Sequence, residues 1–197
     1  MKIFFLPAFG AVLPQGGLIF DMDGTLYSHK EYLDSQTELP LRRLAVMHQK
    51  SYEAMKGEFD AYRTNWEKEH KDKMEPSPEG YHLGKKISMG NAFKAFGVSI
   101  EENVKWREEL YQPERYLRAD ARLRETLQSL SAEFRVGVVT NNPVSIARRT
   151  LRCLGVEDCI PVVIGLDTCM VSKPHPAPFQ KAAELLGFPL GHCAAIG

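Results

Sequence analysis

The sequence predicts an α/β protein, a mostly parallel sheet with helices between its strands, interrupted by an all-helical insertion. Three observations carry that expectation. A short apolar run, Leu18, Ile19 and Phe20, meets an acidic, glycine-containing turn, as a buried strand does when it delivers a loop at its C-terminal end. From Pro113 onward helical and strand patterns alternate at lengths that suit right-handed crossovers. Between these parts, about 80 residues show helical spacing and nothing that alternates like a strand.

Taken in order, the chain begins with Lys2 and an apolar run from Ile3 to Leu13 that superficially resembles a signal peptide. Its small-residue cleavage pattern at Ala8 and Gly10 would leave an apolar core of about five residues, below the roughly 7 to 15 of an export signal. Export is therefore not the expectation. The strand at Leu18 follows, and then Leu41, Leu44, His48, Tyr52, Met55, Phe59, Tyr62 and Trp66 recur at steps of three or four. That spacing predicts one long helix with an apolar stripe, in which His48 is a satisfied core or interface histidine. The mixed charges from Glu67 to Glu75 read as a solvated helix end. The pattern breaks at Pro76, Pro78 and Gly80, and shorter helices are expected over Gly84 to Phe96 and Ile100 to Leu110. Beyond Pro113 come a helix (Ala121 to Leu130), a strand (Phe134 to Thr140), a helix (Ser145 to Leu154), a strand (Val162 to Leu166), a helix (Ala177 to Leu186) and a strand (Cys193 to Ile196).

Composition limits the function classes. With 197 residues, 25 basic against 25 acidic side chains and 44% hydrophobic content, the chain is neither disordered nor polyionic. Zero formal charge supplies no general attraction to nucleic acid or an anionic membrane, and no local basic patch stands out. No apolar stretch approaches the ~18 residues that span a bilayer. Cys153, Cys159, Cys169 and Cys193 match no zinc-ligand spacing and read as reduced thiols, so a cytoplasmic protein is expected.

In open parallel sheets ligands bind beyond the carboxyl ends of the strands, so the residues there are the candidates. The first strand ends in Asp21-Met22-Asp23-Gly24-Thr25. Two carboxylates at i and i+2 point the same way if the backbone stays extended, and they repel unless a hard cation such as Mg²⁺ compensates them. One can then attack an electrophile while the other serves as acid and base. A surface turn with two incidental aspartates is the plainer alternative, but such a string arises by chance in on the order of one chain in a thousand. The second group, Thr140-Asn141-Asn142-Pro143, suits an anion: Asn142 at an N-cap and Pro143 in a first helical turn would aim free N–H groups at the strand end, though Asn-Pro also simply starts helices. Lys173, ahead of Pro174, Pro176 and Pro178, is either a solvated loop charge or the cation that neutralises a phosphoryl group beside the carboxylates. The three groups in this order, each after its own strand, favour the second reading.

These segments resemble the haloacid dehalogenase-like hydrolases, a superfamily dominated by Mg²⁺-dependent phosphatases. Asp21-Met22-Asp23-Gly24-Thr25-Leu26 looks like the first family motif, Thr140-Asn141 the second and Lys173 within Ser172-Lys173-Pro174-His175-Pro176 the third. The resemblance implies a Rossmann-like three-layer parallel sheet core, over residues 1–28 and 113–197, with an inserted all-helical cap domain over 29–112. The insertion is similar in place and character to the cap of the subfamily that includes phosphoglycolate phosphatases, β-phosphoglucomutases and pyrimidine nucleotidases. By the same resemblance Asp21 is the nucleophile that forms an aspartyl phosphate and Asp23 the acid and base, its carbonyl joining the Asp21 carboxylate on Mg²⁺. Thr140 and the Asn141 N–H hold phosphate oxygens, Lys173 balances charge, and Thr25 supports the loop. The acid at position 23 sets the chain apart from dehalogenase members and ion-pumping ATPases, which lack it there.

One departure stands out. The family's fourth motif is a strand ending in Gly followed by one or two aspartates that complete the metal site, whereas here Cys193-Ala194-Ala195-Ile196-Gly197 is followed by nothing. The expectation is a shortened version of a longer phosphatase, with weaker metal affinity and a less protected last strand. Its substrate would be a small phosphorylated metabolite such as phosphoglycolate or a nucleoside monophosphate. A sugar phosphomutase and a non-catalytic binding protein that keeps the fold remain alternatives. Tyr27, His29 and the segment from Lys85 to Asn91 are candidates for choosing the substrate, or equally for packing.

Overall fold

A computed structural model describes residues 3–5, 16–70 and 86–197. The fold class is the expected one. Five strands, β1 (Ile3–Phe5), β2 (Gly17–Phe20), β3 (Arg135–Val139), β4 (Val162–Ile164) and β5 (Cys193–Ile196), form one sheet in the order β1-β5-β2-β3-β4. β2 lies parallel to both neighbours, with Leu18 opposite Val136 on one side and Ala194 on the other, and β3 is parallel to β4. Helices pack on both faces of this central strand, which is why Gly17–Phe20 is a continuous buried run and not an alternating one.

Side-chain direction still alternates along each strand and sorts the core into two sides. Leu18, Phe20, Val136, Val138, Val163 and Ala194 pack with Leu127 of α6 (Ala121–Ser131) and with Ala147 and Leu151 of α7 (Val144–Cys153). Ile19, Val139, Ile164 and Cys193 pack against Ala182, Ala183 and Leu186 of α9 (Ala177–Leu186). Helices therefore cover both faces, giving three layers.

The expectation of an exposed edge beside the last strand is corrected. β1 pairs antiparallel along β5, with Phe4 opposite Ala195. The remainder of the N-terminal run, the breaks at Pro76, Pro78 and Gly80, Lys85 and the charged run past residue 70 lie outside the described residues.

Between β2 and α6 lie α1 (Lys30–Met47), α2 (Tyr52–Glu69), α3 (Met89–Ala95), α4 (Ile100–Leu110) and the short α5 (Pro113–Tyr116). They hold a hydrophobic cluster of their own, in which Leu41, Leu44, Met55, Phe59, Phe93 and Trp106 are buried together. The single long helix expected through His48 and Tyr52 is two helices. Gln49 turns the chain at a left-handed φ of 54°, and the Ser51 side chain accepts from Ala54 N at 3.2 Å to start α2. The stripe survives because each helix buries its half against the other, and the four-residue step from His48 to Tyr52 conceals the turn between them. His48 is exposed, not buried. It ends α1 and places Nε2 3.0 Å from Phe96 O, edge-on to the Phe96 ring.

Two boundaries move for reasons of packing. β4 stops at Ile164 because Gly165 turns the chain into α8 (Leu166–Cys169). α7 starts at Val144, with Pro143 and not Asn142 at its N-cap, and Asn142 turns its side chain inward. Among the described residues no helix is long and apolar enough to cross a membrane.

Candidate active site

The three groups picked out by their position after strands meet at the carboxyl end of the parallel strands. Asp21 leaves β2 with its N–H donating to Ile196 O at 2.7 Å, which ties it to the end of β5. Its Oδ1 accepts from Met22 N at 2.7 Å and from Lys173 Nζ at 2.5 Å. Lys173 also donates to Val139 O at 3.0 Å, and its backbone N–H donates to Asn141 Oδ1 at 2.7 Å, so the third group is fastened to the second by both main chain and side chain. Asp21 Oδ2 takes no hydrogen bond from the described residues. A carboxylate with one oxygen fixed by an ammonium and the other without a hydrogen bond from the described residues has the geometry that an oriented nucleophile needs.

Asp23 does not share those partners. Gly24, at φ 81°, reverses the chain immediately after it, and Gly24 N donates to Tyr27 O at 2.9 Å. The turn brings the Tyr27 hydroxyl onto Asp23 Oδ1, where Gln36 Nε2 also donates at 3.1 Å. On Oδ2, Asn142 Nδ2 donates at 2.9 Å and the Thr140 hydroxyl stands at 3.5 Å. Burial, reinforced by the Asp23 charge, pushes the Tyr27 phenol above its ordinary pKa, which favours the protonated, donating hydroxyl. Tyr27 is therefore a partner of Asp23 and is itself buried. His29 caps α1, its Nδ1 accepting from Tyr32 N at 3.4 Å, and lies edge-on to Tyr116, which is packing. From the third candidate segment, Ser88 Oγ meets Ser172 Oγ at 2.9 Å next to Lys173.

Thr140 also accepts from Asn142 N at 3.1 Å, which bends the loop after β3 back on itself. The helix N-terminus beyond it is not wholly free, because Val144 N donates to Asp167 Oδ1 at 2.9 Å. Gly165 permits this: a Cβ there would lie 2.5 Å from Val144 N and 2.7 Å from Asn142 O.

Sequence reasoning missed Gln36, Asn142 as a side-chain donor, and Arg107. Arg107 is buried, and its guanidinium donates to Asn103 Oδ1 (2.7 Å), Asn142 Oδ1 (2.7 Å) and Asn141 O (3.2 Å). A signal for it exists. Asn103 and Arg107, four positions apart, lie on the face of α4 that also carries Ile100, so polar residues occupy core-facing positions.

For a hard cation the donor set is two oxygens, Asp21 Oδ2 and the Asp23 carbonyl, neither engaged by the described residues. That suits Mg²⁺, which keeps several waters and needs only one or two carboxylates beside a phosphate. No cluster of three or more acidic, His or Cys ligands exists among the described residues. Gly197 lies against Asp21, where a Cβ on it would be 3.4 Å from Asp21 Cβ.

Comparison with known proteins follows this geometry. The family model of the haloacid dehalogenase-like hydrolases matches residues 16–197. A phosphoglycolate phosphatase of Colwellia psychrerythraea is 37% identical over 76 residues, 38% of this chain and 34% of that protein. One from Xylella fastidiosa is 43% identical over 61 residues, 31% of this chain and 27% of that protein. The matched stretch thus spans about a third of these curated relatives. Among solved structures, a HAD phosphatase from Thermococcus onnurineus superposes with a TM-score of 0.54 at 21% identity, covering 91% of this chain and 75% of that one, a likeness of fold.

Proposed function

The chain belongs to the haloacid dehalogenase-like hydrolases, and from that premise we propose that it is a Mg²⁺-dependent phosphatase that hydrolyses a small phosphomonoester through an aspartyl phosphate. The observation that carries the reading is the division of labour between the two aspartates. Asp21 is held by Lys173 with its other oxygen free of hydrogen bonds from the described residues, while Asp23 is held separately by neutral donors.

In the proposed reaction the Asp21 carboxylate attacks phosphorus, the bond from phosphorus to the ester oxygen breaks, and that oxygen takes a proton from Asp23. Water then attacks the aspartyl phosphate, Asp23 receives its proton, and the phosphorus bond to Asp21 breaks to release inorganic phosphate. Lys173 balances negative charge on Asp21 and the phosphoryl group, and Thr140 and the Asn141 N–H take phosphoryl oxygens. Asp21 and the Asp23 carbonyl would hold Mg²⁺, which supplies charge neutralisation on the transferring group. Residues 29–112 act as a cap, a division supported by the hydrophobic cluster that Leu41, Leu44, Met55, Phe59, Phe93 and Trp106 share, while Tyr32 and Leu33 at its start pack with the sheet. Phosphoglycolate is the first substrate to try, since the Colwellia and Xylella relatives carry that name.

Phosphate release from a panel of phosphomonoesters with Mg²⁺ tests this, on the 197-residue chain and on one extended beyond Gly197. Release that Asp21→Asn abolishes supports the reading. No release from either protein, or activity that survives Asp21→Asn, overturns it.

A further inference from the structure

We infer that Arg107, acting through the Asn142 amide, and Gln36 are positioning residues that fix the Asp23 carboxylate for proton transfer to the leaving oxygen. The inference rests on the phosphatase reading and adds residues to it from the helical segment.

Arg107 is only 6% exposed, yet no carboxylate lies within ion-pair distance of it among the described residues. All its acceptors are neutral: Asn103 Oδ1, Asn142 Oδ1 and Asn141 O. A guanidinium offers donors and no acceptor, and an ionised carboxylate accepts only. The amide of Asn142, 1% exposed, stands between one of each. Its oxygen faces Arg107 at 2.7 Å and its NH₂ faces Asp23 Oδ2 at 2.9 Å, so the amide orientation is decided by its neighbours. The buried guanidinium thereby acts on Asp23 through an oriented amide dipole, buried at its Arg107 end and half-buried at its Asp23 end.

Gln36 closes the other side. Its Nε2 donates to Asp23 Oδ1 and to the Tyr27 hydroxyl oxygen (2.9 Å), its Oε1 lies 3.4 Å from Asn142 Nδ2, and its backbone carbonyl accepts from the Tyr111 hydroxyl at 2.7 Å. Donors on both carboxylate oxygens fix the plane of the group, where a single contact would leave it free to rotate. Two of the anchors, Arg107 on α4 and Gln36 on α1, come from outside the sheet, so helical residues set the geometry of a group at the end of β2.

The leaving group tests this. An alkyl phosphomonoester such as glycerol phosphate must have its leaving oxygen protonated, whereas 4-nitrophenyl phosphate departs as a stable phenolate. The ratio kcat/KM reports steps up to that departure. Asn142→Asp keeps the side-chain volume and gives Arg107 a carboxylate partner, but turns an acceptor toward Asp23. Arg107→Met instead removes the guanidinium and frees the amide. Both variants, shown to be folded by thermal unfolding, are expected to lose on the order of 100-fold in kcat/KM on glycerol phosphate and less than about fivefold on 4-nitrophenyl phosphate. Equal losses on the two esters, or no loss on the alkyl ester, in folded Asn142→Asp overturn the inference and leave the phosphatase reading standing. No release from either ester by the unsubstituted protein overturns both.

Discussion

Lys173 places its ammonium 2.5 Å from Asp21 Oδ1 across a separation of 152 residues, and in doing so it joins the loop before α9 to the end of β2. The Lys173 side chain is 18% exposed and that of Asp21 37%, so solvent reaches the pair from the carboxylate side. Lys173→Met is expected to lower kcat/KM for any substrate by on the order of 10²- to 10³-fold, as loss of a donor aimed at developing charge does. The same change should cost no more than about 1 kcal/mol of stability, because a partly exposed ion pair contributes little. Steady-state kinetics beside urea unfolding separate the two effects.

The approach of α7 to α8 is set by the absence of a side chain. A Cβ on Gly165 would meet two backbone atoms, Val144 N and Asn142 O, that cannot rotate away as a side chain can. Gly165→Ala should therefore destabilise the fold by about 1–3 kcal/mol, read as a lower urea midpoint at unchanged slope. Because Asn142 is one of the atoms displaced, activity should fall further than stability alone explains.

The legibility of this molecule in its sequence divides along a physical line. Asp21, Asp23, Thr140, Asn141 and Lys173 could be read because each follows an apolar strand, and a parallel sheet gathers the ends of its strands. Gln36 could not, because polar residues on helices are ordinarily solvated, and for Arg107 the four-residue step from Asn103 marks a polar pair on the buried face of α4 without showing that this face meets a loop more than 30 positions away. The local preference of Asn142 for a helix cap is outweighed by a buried guanidinium and a carboxylate. The turn after Met47 was hidden by a spacing that continues across it. No sequence pattern pointed to β1, since a three-residue antiparallel edge carries too little periodicity to separate it from an apolar extension.

The helical segment should behave as a packed body in its own right. Phe59 is fully buried, with its ring 5.0 Å from that of Phe93 and 5.4 Å from that of Phe96. Phe59→Ala is expected to cost about 3–5 kcal/mol in unfolding experiments, the sum of lost transfer energy and a cavity that aromatic neighbours fill poorly. Val46→Ala, at a position 78% exposed on α1, should stay within about 0.5 kcal/mol.

Alkaline pH should unfold the protein through groups that burial keeps protonated. Burial is the first cause that raises the phenols of Tyr27, Tyr32 and Tyr111 above 10.0 and the thiol of Cys193 above 9.0. In the folded chain these groups keep their protons at pH values where the unfolded chain has released them, so the folded state binds more protons and stability falls as pH rises. Their contribution is complete below pH 9 and is lost progressively above it, first through Cys193 and then through the tyrosines. Absorbance at 295 nm should show three of the seven tyrosines ionising only together with loss of the near-ultraviolet circular dichroism signal. Smooth titration of all seven ahead of unfolding would place those hydroxyls in contact with water and remove Tyr27 as a fixed donor to Asp23.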